Sequence, residues 1–155
     1  MIWKWRILNW RITFTIAPVV DVVGVNSNLP DNNHIIMWDF DDTDLATVVR
    51  ELSTVQIKYN LPRIYIFETK KRQNYIAFCF KRCSWEKSVE IVACTRGVDR
   101  NFFKYGVYRE HWTLRVTPKN GRKIRLITIL ESKAHEDCSI RELKSWVKYE
   151  TLRGE

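Results

Sequence analysis

Asp39 and Asp41 stand one residue apart at the end of the apolar run His34-Ile35-Ile36-Met37-Trp38, and Asp42-Thr43-Asp44 follows at once. In an extended chain side chains alternate with period two, so both carboxylates would project from one face of a strand. Two carboxylates that close raise each other's pKa unless a cation lies between them. A divalent ion that takes hard oxygen ligands, Mg2+ or Mn2+, is the natural third party. Asp42 or Thr43 is expected to cap the helix that follows, with Asp44 favouring its positive end. Asp39 and Asp41 are left as expected metal ligands, against the plainer reading of solvated acids at a strand end.

Asp99 is the third carboxylate of interest. It is either the N-cap of a short helix or a third acid beside the metals, where two divalent ions would stabilise an in-line phosphoryl displacement. Thr113, Arg115 and Thr117 share one face of the run Trp112–Thr117, with Trp112, Leu114 and Val116 on the other. Arg115 is a salt-bridge partner for the acids or a bidentate phosphate clamp. Lys119 and Arg109 are further phosphate-binding candidates. Lys70, Lys71 and Arg72 form a basic turn leading into Tyr75, a set suited to a nucleic-acid backbone and one stacked base.

Elements able to position these residues are legible in the periodicity. Residues 1–33 form an N-terminal strand extension with a bend at Pro18 and a loop over 26–33. A strand over 34–41 is followed by a helix to Tyr59, with Leu45, Val48, Val49, Leu52 and Val55 on one stripe. Strands over 63–69 and 74–82, a helix over 84–95, and a helical turn from Asp99 to Tyr105 come next. Trp112–Thr117 and Lys123–Glu131 are expected to form a hairpin around Lys119-Asn120-Gly121. Ser139-x-x-Glu142 reads as a capping box opening a C-terminal helix over 139–152, with Ile140, Leu143, Trp146 and Val147 as its stripe.

From residue 34 the order is strand, helix, strand, strand, helix, strand. The expected fold class is therefore α+β, an RRM-like or ferredoxin-like antiparallel sheet with a βαββαβ core over 34–131, within a single domain spanning 1–155. In that plan the first strand is central, and the two acids lie mid-sheet between Asn74–Lys81 and His111–Thr117.

Composition sets the outer bounds. A chain of 155 residues with 45% hydrophobic and 28% charged residues can build a core and is not expected to be disordered. Its net charge of +8 favours an anionic partner, nucleic acid first. The Cys79/Cys83 and His135/Cys138 spacings are loose and far apart for zinc, so the four cysteines read as reduced thiols. Asp21 interrupts the apolar stretch after Lys4, Arg6 and Arg11. A signal peptide and a membrane partner are therefore not expected, and a cytoplasmic, non-secreted setting is.

Asp39-x-Asp41, the basic turn into Tyr75-Ile76-Ala77-Phe78, Val98-Asp99, then Thr113-Leu114-Arg115 with Lys119, together resemble the archaeo-eukaryotic primase superfamily and its primase-polymerase branch. The resemblance covers residues 34–119. It implies a nucleotidyltransferase using two divalent metals, with nucleoside triphosphates and a single-stranded template as partners. It implies Asp39, Asp41 and Asp99 as catalytic metal-side acids, and Arg115, Lys119 and Arg109 on phosphate. Two features depart from the family pattern. Ile76 or Asn74 stands where the family has a phosphate-contacting histidine, and the segment before the acidic motif is short. Both point to a minimal or degenerate member, of the kind expected among replication proteins of small viruses or mobile elements.

Two other readings use the same residues. A non-catalytic RRM-like module would bind single strands through Lys71, Tyr75, Ile76 and Phe78. A structural protein would use Arg115 only to neutralise Asp39 and Asp41. A rolling-circle nicking enzyme is disfavoured because His34, His111 and His135 form no His-x-His pair.

Overall fold

The computed structural model describes residues 2–16, 19–118, 123–143 and 145–152. In chain order these form β1 (Ile2–Ile7), β2 (Trp10–Thr15), β3 (Val19–Asn26), β4 (His34–Phe40), α1 (Leu45–Tyr59), β5 (Ile64–Lys70) and β6 (Asn74–Cys83). Then follow α2 (Trp85–Ala93), α3 (Arg100–Arg109), β7 (Thr113–Arg115), β8 (Arg125–Leu130) and β9 (Trp146–Leu152). The chain is α+β, and among the described residues every strand pairing is antiparallel.

Alternation divides the four-stranded sheet β4-β6-β5-β8 into two faces. Ile36, Trp38 and Phe40 lie on one, opposite Cys79, Ala77 and Tyr75 of β6. This face carries the helices: Trp38 Nε1 donates to Thr95 Oγ1 just beyond α2 at 2.9 Å. Val48, Leu52 and Val55 of α1 are buried in the same core. Full burial of side chains such as Trp38, Phe40 and Ile36 contributes about 1.5–3 kcal/mol each. Met37 and Asp39 point to the other face, opposite Phe78 and Ile76.

The expected hairpin does not form. β7 pairs with β3, and β8 pairs with β5 at the far edge of the sheet. The segment around Trp112 is drawn to β3 by its polar groups: Ser27 N donates to Trp112 O at 2.9 Å, and Thr113 Oγ1 to Asn26 Oδ1 at 2.7 Å. β4 is therefore an edge strand rather than a central one. Its outer edge is met instead by Ser27, whose carbonyl accepts from Ile35 N, and by Asp99, whose N–H donates to Asp39 O at 2.8 Å.

The expected C-terminal helix over 139–152 is also corrected. A single 3-10 turn spans Ile140–Glu142, and residues 146–152 form β9 along β3. Ser139 N does donate to Glu142 Oε1 at 2.9 Å, as a capping box requires. Pairing of Trp146 through Leu152 with the length of β3 outweighs that local signal, since the strand satisfies an otherwise open edge. β3, part of the predicted N-terminal extension, is thus the centre of a second sheet, β7-β3-β9.

Candidate functional site

Asp39 is the last but one residue of β4, and its carboxyl stands on the face away from α1 and α2. Burial, then the charges of Asp41 and Asp99, push its pKa up from 3.8 to about 7; Arg115 acts in the opposite direction. Asp41 lies just past the strand. Its pKa is also raised, first by burial and next by Asp99, while an Asn74 hydrogen bond and Lys70 oppose the rise. The charges of Asp41 and Asp99 both bear on Asp39, and that of Asp99 on Asp41. Asp44, rather than Asp42 or Thr43, caps α1 by accepting from Thr47 N at 2.9 Å.

Asp99 takes the N-cap role, one of the two alternatives expected of it. Its Oδ1 caps α3 by accepting from Phe102 N at 2.6 Å, and its backbone bond to Asp39 O fixes it against the edge of β4. From that cap α3 runs to Arg109, a full turn longer than the sequence suggests. Phe102, Tyr105, Gly106 and Arg109, spaced three or four residues apart, line a cavity of about 200 Å3 together with Asp39, Asp99, His111 and Thr113. Arg109 packs over the Tyr105 ring at 5.7 Å.

Arg115 reaches the acids electrostatically, but its Nη1 also donates to Thr117 O at 2.6 Å, which holds the guanidinium along its own strand. Lys119 lies outside the described residues. Lys70 and Lys71 meet Lys123 and Arg125 around a groove of about 560 Å3, at the end of β5 and β8. Arg125 pairs with Glu68 at 3.1 Å there. Arg72 adopts a left-handed backbone in the same turn, with φ of 58°. Tyr75 is corrected: it is only 2% exposed and lies on the helix-packed face, opposite Phe40 and Glu68. Its parity in β6 is opposite to that of Ile76, so it shares no face with Asp39 and offers no ring to a base.

Sequence reasoning missed His111, Tyr105 and Asn74. His111 was weighed only as half of a His-x-His pair. Its signal was the helix before it: a cap at Asp99 and a left-handed C-cap at Glu110 return the chain toward β4. Asn74, read only as a vacant motif position, donates its amide to Asp41 Oδ1. An apolar cavity of about 630 Å3 lies on the same sheet face as Asp39, lined by Tyr65, Phe67, Ile76, Phe78 and residues covering them from Val25 and Trp146. Its lining bears one carboxylate, Glu136, and none of the three coupled acids.

Among the described residues no three acidic, histidine or cysteine side chains are grouped as a metal cage. Asp39 and Asp41 nonetheless suit Mg2+ or Mn2+ chemically. Such ions are commonly held by one or two carboxylates plus waters and substrate phosphates, without a full protein cage. Burial, with the charges of Asp41 and Asp99 added to it, keeps Asp39 protonated to about pH 7, and a cation placed among these acids would lower that value. Cys79, Cys83 and Cys138 are pushed toward the neutral thiol mainly by burial, which opposes metal-thiolate chemistry there. No helix among the described residues is long and apolar enough to cross a membrane.

Compared with known protein families, curated proteins and solved structures, the chain matches none of them.

Proposed function

We propose that the chain is a divalent-metal nucleotidyltransferase of primase-polymerase type, or a replication protein descended from one, built on an RRM-like sheet. The observation that carries this reading is the convergence of Asp39, Asp41 and Asp99 beside cationic groups, with Asp39 held protonated to about pH 7. A bound Mg2+ or Mn2+ would supply the missing positive charge and orient phosphate oxygens. Asp39 and Asp41 are the ligands in this proposal. Asp99 holds α3 in place and adds negative charge, and Arg109 contacts phosphate from the α3 side of the cavity. Asn74 donates to Asp41 Oδ1 and would hold that carboxylate toward an ion. The strand order β4-β6-β5 with α1 and α2 on one face supports the RRM-like reading of the core.

Calorimetric titration of Mn2+, with and without a nucleoside triphosphate, tests this. Binding is expected to strengthen with the triphosphate and to disappear in Asp41→Ala. Absence of metal binding in the folded chain would sink the enzyme reading.

A second reading rests on a separate observation. Lys70, Lys71, Lys123 and Arg125 converge on one groove from two strands far apart in sequence. That geometry supports a metal-free module for single-stranded nucleic acid. It predicts oligonucleotide binding that persists in excess chelator and is not weakened by Asp41→Ala.

A further inference from the structure

β1 and β2 form a two-stranded sheet that pairs with no other strand among the described residues. In its register Trp3 stands opposite Phe14, Trp5 opposite Ile12, and Ile7 opposite Trp10. Residues directly opposite share a face, so these six apolar side chains cover one side of the hairpin. Lys4, Arg6, Arg11 and Thr13 occupy the other. The apolar face is uncovered, with exposures from 43% at Trp3 to 78% at Trp10. At about 150–250 Å2 per aromatic side chain, it leaves roughly 700 Å2 of apolar surface in water. That exceeds the largest patch of a typical monomer, and a lone two-stranded hairpin is at best marginally stable in water.

We propose that this face is where two copies of the chain join. Two such faces bury roughly 1,400 Å2 together, within the range of about 1,200–2,000 Å2 that stable association needs. The pattern is also self-complementary. A two-fold axis along the hairpin midline sets β1 of one copy over β2 of the other at the same rung. Trp5 then covers Ile12 of the other copy, and Trp10 covers Ile7, so large side chains meet small ones at these two rungs. Trp3 meets Phe14 at the outer rung, where within one chain these rings already stack with centroids 5.7 Å apart. The three cations face outward and stay solvated in this arrangement. An anionic lipid surface is the rival occupant, since an apolar face backed by cations also suits a headgroup boundary; the matched rungs of the hairpin favour a second copy. Single-stranded nucleic acid fits less well, since its phosphates require cations beside the stacked rings.

Sedimentation equilibrium of the full chain over a wide concentration range tests the proposal. The unmodified chain is expected to form a dimer, and Trp5→Ser with Trp10→Ser to weaken it by roughly 100-fold or more. Lys4→Ser with Arg11→Ser, on the outward face, is expected to leave the dimer intact. Ile12→Lys, which keeps every tryptophan, is the second variant should the first fail to fold. A chain that stays monomeric throughout overturns the proposal, as does a dimer unaffected by both face variants. So does a monomer that binds anionic vesicles or an oligonucleotide and loses that binding in Ile12→Lys.

Discussion

Asp39 sits half-buried with Asp41 and Asp99 as its nearest acidic neighbours, and its carboxyl keeps its proton to about pH 7. The folded-state pKa lies above the ordinary value of 3.8, so the folded chain binds the proton more tightly than the unfolded one. The resulting stabilisation is complete below pH 3.8, fades as pH rises, and is gone above about pH 7. Its size is on the order of 2–4 kcal/mol. Asp39→Asn has no proton to lose. It is expected to raise the melting temperature at pH 8 and to flatten the stability profile between pH 4 and 7. Thermal unfolding by circular dichroism at fixed ionic strength checks this; a flat profile in the unmodified chain would refute it. Mn2+ adds a second arm at the same residue. It should stabilise the unmodified chain at pH 7 and leave Asp39→Asn nearly unmoved, because the ion takes the place of the proton.

At the scale of elements, α3 holds the site together through Gly106. A Cβ at this position would run into the Trp112 ring, closer than real Cβ contacts come. Trp112 is fully buried, stacks on Phe102 with centroids 5.2 Å apart, and donates to Ser88 Oγ at 2.7 Å, so its ring has little room to shift. Gly106→Ala should gain about 1 kcal/mol in helix propensity and lose about 1–3 kcal/mol to overpacking. A net loss of up to about 2 kcal/mol in denaturant unfolding is expected, with Mn2+ affinity falling as Asp99 loses its seat; a net gain would show that Trp112 moves aside. Why some elements were legible and others not follows from which interactions are local. The stripe Val48, Leu52, Val55 and the alternation in β4 and β6 are encoded within single segments. Ile140, Leu143, Trp146 and Val147 fit a helical stripe, but the run from Trp146 also suits a strand, and only β3 decides between them. Asp39 and Asp41 were legible because their spacing is local. Their joining by Asp99 depends on one backbone bond across 60 residues, from Asp99 N to Asp39 O, which no periodicity reveals. Tyr75 failed for a local reason: placement one residue from Ile76 puts it on the opposite face.

For the molecule as a whole, Asp39 and Asp99 lie where β4, α3 and Thr113 of β7 meet, and the charge of Lys70 in the basic turn reaches Asp41. On a chain of net charge +8, part of the basic charge is paired with acids and part gathers at one groove. Lys70, Lys71 and Lys123 gather at one groove, whereas Lys81, Lys87 and Lys148 are engaged with Asp137, Glu90 and Asp21. Such a surface attracts a polyanion along the groove and repels it at the acids unless a cation intervenes. Two measurable consequences separate these parts. Affinity for a single-stranded oligonucleotide should fall with salt, each lysine–phosphate contact adding about 0.7 to the slope of log K against log salt. Lys70→Ala with Lys71→Ala should therefore reduce that slope by roughly 1.4 if both lysines contact phosphate. Asp41→Ala should leave the slope alone and, in chelator, tighten binding by removing a repelling charge. With Mn2+ present the same substitution should weaken it. A salt slope unchanged by the lysine variant would move the anionic partner away from this groove. A response to Asp41→Ala of the same sign with and without Mn2+ would mean that no ion bridges the acids to phosphate.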